Sequence, residues 1–151
     1  MTNAMSAPPT VDLKNINRVE LSLSADAQML FLARMTGAAV ASRANFDYER
    51  VEDLRLAIDE LCVRLMSRGG GPARITLQFQ WDEDGVINVV ATLVPEDDPT
   101  GNGRHSHPTA TPASFELSER ILDALVDDHG GDSIGGVHRE WLRIRRQDPL
   151  G

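Results

Sequence analysis

Two apolar runs joined by a glycine turn constrain this chain more than any other feature. From Arg74 to Trp81, the residues Ile75, Leu77, Phe79 and Trp81 alternate with Thr76, Gln78 and Gln80. Alternation with a period of two sends one face of a strand into a core and the other toward water. Asp84-Gly85 follows, and glycine accepts the positive φ of a tight hairpin without penalty. The chain then returns as Val86 to Val94, apolar on both faces, which predicts a strand inside the sheet rather than at its edge. An antiparallel hairpin is therefore set in the middle of the sequence, and other elements must cover its apolar face.

Helical periods on either side supply that cover. Arg18 to Leu23 alternates with Val19, Leu21 and Leu23 on one side and predicts a half-buried strand. Ser24 offers a capping hydroxyl, and a helix is predicted from there to about Arg43 with Met29, Leu30, Leu32, Ala33, Thr36 and Val40 facing inward. Gly37 weakens its middle or admits a close neighbour. A second helix is predicted from Asp47, a good N-cap, with Phe46 set to staple onto Val51. Its stripe is Leu54, Ala57, Ile58, Leu61, Cys62 and Leu65, and Gly69-Gly-Gly-Pro72 ends it. After the hairpin a third helix is predicted from near Ser114, with Leu117, Ile121, Leu122 and Leu125 inward and Gly130-Gly131 closing it. A last strand covers about Val137 to Arg146, with Leu142 and Ile144 on one side and Trp141, Arg143 and Arg145 on the other. The order β-α-α-β-β-α-β predicts an α+β fold. Its form is a two-layer α/β sandwich, a mixed or antiparallel sheet with helices packed on one face.

Segment by segment, residues 1–17 read as a flexible lead-in without the apolar centre of a secretory signal. Residues 18–147 form the domain, and 148–151 are a tail. Within the domain, 95–113 is a lid-like loop rich in proline and glycine. With 41% apolar residues and 5% aromatics, the core must be aliphatic. No apolar run approaches the roughly 20 residues of a membrane span. The single Cys62 cannot form an internal disulfide and falls in a helix stripe, which predicts a buried structural thiol. These features fit a reducing, cytoplasmic setting. A net charge of -8 disfavours nucleic acid as a direct partner.

The element order, together with Leu54-Arg-Leu-Ala-Ile-Asp-Glu-Leu-Cys62 and Ile121-Leu-Asp-Ala-Leu-Val-Asp127, resembles the histidine-kinase-like ATPase superfamily (GHKL, or Bergerat fold). Within it, the chain resembles the anti-sigma-factor serine kinases of Gram-positive bacteria, especially the divergent actinobacterial set. The resemblance implies ATP as cofactor. It also implies a helix carrying a catalytic Glu and, four residues on, an Asn that gives an oxygen to Mg²⁺. Glu60 matches the acid. Arg64 falls on the Asn position, and a guanidinium has no acceptor atom, which puts Mg²⁺ in doubt. Arg64 remains able to contact a phosphate directly. The family's Asp-x-Gly-x-Gly box has an approximate echo in Asp98, Gly101 and Gly103, with one residue too many, and Asp97 is an equal candidate. The Gly-Thr pair that opens the family's final strand is here Gly136-Val137, without the hydroxyl. Plainer readings stand beside these. Glu60 and Arg64 have the favourable i,i+4 order of a surface ion pair, and Pro95 to Gly103 reads equally as an acidic, turn-rich loop.

Other motifs carry less. His105-Ser-His107 lacks the Cys or carboxylate partners of a metal site and reads as a solvated loop. His129 and His138 flank a turn. Arg139, Arg143, Arg145 and Arg146 fit an outer sheet face as well as a nucleic-acid stripe. Three functions follow from the resemblance. The first is a divergent anti-sigma regulator that acts by binding a sigma factor or a STAS-domain anti-anti-sigma protein, with a weakened or lost ATP/Mg site. The second is an active ATP-dependent serine kinase acting on a STAS partner. The third is a non-catalytic interaction domain that keeps the fold. A homodimer is compatible with each.

Overall fold

The computed structural model describes residues 17–97 and 112–147. Among these residues the elements run β1 (Asn17–Ser24), a 3-10 turn (Ala27–Met29), α1 (Leu30–Arg43), α2 (Tyr48–Arg68), β2 (Ala73–Trp81), β3 (Val86–Pro95), α3 (Pro112–Leu125), β4 (Asp128–Ile134) and β5 (Val137–Arg145). The strands form one antiparallel sheet in the order β1-β2-β3-β5-β4. The central hairpin pairs in the register that its alternation requires, Leu77 opposite Ala91 and Phe79 opposite Val89. Gly85 turns it with φ of 79°, and Asp82 Oδ1 accepts from Asp84 N at 3.0 Å.

One face of the sheet is apolar. Ile75, Leu77 and Phe79 of β2, Ile87, Val89 and Ala91 of β3, and Leu142 and Ile144 of β5 are all fully buried there. Against them lies α2, whose Leu54, Ala57, Ile58, Leu61, Cys62 and Leu65 are fully buried at the predicted three- and four-residue spacing. The other two helices flank it, α1 on one side and α3 on the other. Gly37 of α1 is the close approach, because a Cβ there would stand 2.1 Å from Cδ1 of Ile58. The fold is the α+β sandwich with helices on one face. Burial pushes the Cys62 thiol up to about 12, with the Asp59 charge adding to the effect, so Cys62 is structural.

Two boundaries differ from the sequence reading. The first is at the start of α1. Ser24 ends β1, and the capping carboxylate is Asp26, which accepts from Gln28 N at 3.0 Å and starts the 3-10 turn. The second is after α3. The helix stops at Leu125, and Gly130-Gly131 lie inside an additional strand, β4. That strand carries little periodic apolar signal, Asp-His-Gly-Gly-Asp-Ser-Ile, and gains its conformation by pairing along β5. Its glycines are needed for space. A Cβ on Gly130 would stand 2.5 Å from the Trp141 indole, and one on Gly131 would stand 2.5 Å from Oε2 of Glu140. The β4–β5 turn is Gly135-Gly136, with φ of 58° and 81°.

Asp47 caps α2 as its sequence position predicts, accepting from Arg50 N at 2.8 Å. Asp47→Ala is therefore expected to lower stability by about 1 kcal/mol. Ser24→Ala, with no helix to cap, is expected to change it by less than about 0.5 kcal/mol. Urea unfolding of both variants measures the contrast, and equal losses would contradict it.

Candidate functional site

The helix α2 turns Glu60 and Arg64 toward the same side, and both line one cleft. Residue 64 lies two helical turns beyond Ala57 and one beyond Leu61, on the flank of the buried stripe that faces β5 and α3. Residue 60 lies one turn earlier on the same flank, farther from the stripe, and lines a cleft there together with Val63, Arg64 and Ser67. The i,i+4 surface pair that the sequence allows is nonetheless not formed, because Arg64 is bonded elsewhere. Arg64 is 7% exposed, and its side chain makes hydrogen bonds with three other residues.

Those residues come from two elements. Arg64 Nε donates to Glu140 Oε1 on β5 at 3.1 Å. Its Nη1 donates to Ser118 Oγ at 3.1 Å, and its Nη2 donates to Glu119 Oε1 at 2.8 Å, both on α3. Phe115, also on α3, sets its ring 5.5 Å from the guanidinium carbon of Arg64 and 5.7 Å from that of Arg68, within cation–π range. Arg68 Nη2 approaches Glu140 Oε1 at 3.3 Å. Three of the five N–H groups of Arg64 are thus used within the protein.

Glu140 is 1% exposed. Burial raises its pKa against the opposing charges of Arg64 and Arg68. Its Oε2 has no hydrogen-bond partner among the described residues and lies against the backbone of Gly131. The sequence reading passed over this acid. The available signal was its parity, since Glu140 shares a strand face with Leu142 and Ile144. An acid on a buried face needs a cation opposite it.

Beside the network lies a cleft of about 200 Å³. Glu60, Val63, Arg64 and Ser67 of α2 line one wall, and Ser114, Phe115 and Ser118 of α3 line the other. Glu60 is half-buried and makes no hydrogen bond or ion pair among the described residues. A second cleft of about 350 Å³ opens at the C-terminal end of α2, between the Gly69–Gly71 loop, Leu93 and Pro95 of β3, and Gly136 and His138. Asp97 is exposed just past β3. Asp98, Gly101 and Gly103 lie outside the described residues, as do His105 and His107.

A divalent hard cation requires oxygen donors. The residue one turn beyond Glu60 is a buried guanidinium, which offers only N–H groups and a positive charge. The one buried carboxylate oxygen without a partner among the described residues, Oε2 of Glu140, faces Gly131 rather than either cleft. The described residues therefore do not fit Mg²⁺ at the Arg64 position. Elsewhere, Glu119, Asp123 and His129 each bring a ligand atom within 4.8 Å of the others. His129 Nε2 lies 2.6 Å from Asp123 Oδ1, its Nδ1 lies 3.9 Å from Glu119 Oε2, and Glu119 is shared with Arg64. That is the pattern of a polar side-chain chain in which Arg64 and His129 already occupy the carboxylates.

The remaining candidates are structural. Asp127, at the end of the segment that begins at Ile121, accepts from Arg50 Nη2 and from Arg145 N, each at 2.7 Å. On the outer sheet face Arg139 is bound by Asp132, with Nε to Oδ1 at 2.8 Å, and it holds the Asp132 carboxyl below its usual range. Arg143 Nε donates to Asn88 Oδ1 at 3.0 Å. These two arginines are tied to the sheet, which weakens a nucleic-acid stripe. No helix among the described residues is long and apolar enough to cross a membrane.

No family model matches the chain. Among curated proteins, it is 31% identical over 140 residues to the anti-sigma-F factor RsbW of Mycobacterium tuberculosis (strain H37Rv), covering 88% of this chain and 76% of that protein. It is 32% identical over 129 residues to the serine-protein kinase RsbW of Listeria monocytogenes serovar 1/2a (strain EGD-e), covering 80% and 70%. A shorter match, 30% over 81 residues, links it to the serine-protein kinase RsbW of Bacillus cereus (strain ATCC 10987) and covers 52% of this chain and 51% of that protein.

Two measurements test the network. Arg64→Ala leaves Glu140 buried and unpaired, and is expected to cost about 3–5 kcal/mol in urea unfolding. A loss under about 1 kcal/mol would mean that the pair is not formed. The second is a pH profile. The raised pKa of Glu140 means that its contribution to stability is fully present below the unfolded-state pKa. That contribution is lost as pH rises through the folded-state value. Glu140→Gln removes this term, so its melting temperature should gain on the parent chain as pH rises from acid toward neutral. A difference independent of pH would contradict the assignment.

Proposed function

The chain belongs to the RsbW family of anti-sigma factors and serine-protein kinases, and on that footing we propose that it is a regulator that works by holding a protein partner, with the Mg²⁺-dependent part of the nucleotide chemistry weakened or lost. The partner is a sigma factor, a STAS-domain anti-anti-sigma protein, or each in turn, and the setting is the cytoplasm. Two-fold pairing with a second copy belongs to the same proposal, and light scattering of the purified chain reads it directly.

One observation carries the binding reading over the kinase reading. At the position where an oxygen donor would be needed, Arg64 is buried and already bonded to Glu140, Ser118 and Glu119. A cation placed there meets another cation. ATP remains the nucleotide to test, since serine-protein kinases are among the relatives. A kinase reading keeps one support of its own, Glu60, which lines the α2–α3 cleft without a partner. In that reading Glu60 is the catalytic base and nucleotide-contacting acid. Arg64 contacts a phosphate, and Asp98, Gly101 and Gly103 hold the base side.

Two experiments separate the readings. Co-purification from the native host is expected to capture a sigma factor or a STAS protein, and capture of neither would sink the regulator. Incubation of the captured STAS protein with radiolabelled ATP and Mg²⁺ is expected to give no phosphate transfer. Transfer that disappears in Glu60→Gln would instead establish the kinase.

A further inference from the structure

The helix α3 is poorly supplied with apolar contacts. Leu122 is its one fully buried large side chain, while Leu117 is 59% exposed. Beside Leu122, what attaches it to α2 is polar, and it is placed at its middle and just past its end. At the middle, Arg64 binds Ser118 and Glu119, and it faces Phe115 one turn earlier. At the C-terminal end, the buried Arg50 donates from Nη1 to the Leu125 carbonyl at 2.9 Å and from Nη2 to Asp127 at 2.7 Å. Its Nε reaches the Arg145 carbonyl at 3.0 Å. Both arginines sit on α2, four helical turns apart and on nearly the same face. Each also reaches β5 or its end, so α3 is stapled to the two elements beneath it. Glu119 also approaches His129 of β4, whose Nε2 meets Asp123 of α3.

We infer that these two staples hold α3 docked with no ligand present, and that Arg64, standing in its own protein as the cation of this cleft, makes the docked form insensitive to Mg-nucleotide. The inference rests on the regulator reading above and adds its mode of control. A protein whose cleft cation is already paired with its own side chains answers to competition between protein partners and not to the nucleotide. A ligand can shift a conformational equilibrium only by its differential affinity for the two states. Here the docked state already has its cation and its acceptors.

Hydrogen exchange along α3 in the intact chain decides this. In the parent chain, the amides of residues 113–125 should be protected and should not change on adding Mg-ATP. In Arg64→Asn they should exchange about a hundredfold faster, from the loss of a buried pair, with α1 unaffected. If Arg64→Asn fails to fold, Ser118→Ala/Glu119→Gln decides, because it removes only the α3 half of the staple and leaves Arg64 paired with Glu140. There the expected acceleration is about tenfold. Slower α3 exchange in the parent chain on adding Mg-ATP would overturn the inference, and so would unchanged α3 exchange in the folded variants. Partner capture is scored separately. Failure to capture any partner while α3 stays protected removes the regulator reading and leaves the staples. Capture that occurs only with Mg-ATP keeps the regulator and overturns the insensitivity.

Discussion

A guanidinium can be buried only where its N–H groups find acceptors, and a buried carboxylate survives only where a cation answers it. The pair of Arg64 and Glu140 satisfies both demands at the junction of α2, α3 and β5. The arrangement around it depends on that pairing. Ser118 and Glu119 fix how α3 sits, Phe115 is drawn over the guanidinium, and Gly131 must be glycine so that the Glu140 carboxylate has room. Burying this pair adds little net stability beyond what an apolar pair would give. Its effect is geometric, since few positions of α3 would leave both charges satisfied.

That geometry bears on function through one substitution of chemistry. A cleft built around an oxygen donor holds its parts together with a metal and a nucleotide. One built around an arginine holds them together with the protein's own carboxylates. Glu60 still lines the cleft beside that arginine. On the proposed reading, the chain keeps the family's frame and shifts the balance from chemistry toward binding.

Much of the frame was legible in the sequence because it depends on local periodicity. The Ile75–Trp81 alternation, the Asp84-Gly85 turn, the Leu54–Leu65 stripe and the Asp47 cap all appear where their spacing puts them. Two elements were not legible for one shared reason. The strand β4 has almost no apolar period, and its glycines read as a helix stop, yet pairing along β5 makes it a strand. The 3-10 start of α1 is set by the Asp26 carboxylate, which competes with the equally plausible hydroxyl of Ser24. Local preference is weak at both places, and long-range contacts outweigh it.

The sequence by itself determined the hairpin, the three helices, the buried thiol and the presence of an arginine one turn past Glu60. Only the tertiary structure decided what that arginine does. Seen along α2 alone, Arg64 pairs with Glu60 one turn away, because an isolated helix offers no other acid within reach. Folding brings Glu140 to it from 76 residues away and Glu119 from 55. A desolvated carboxylate competes for a guanidinium far more strongly than one left half in water.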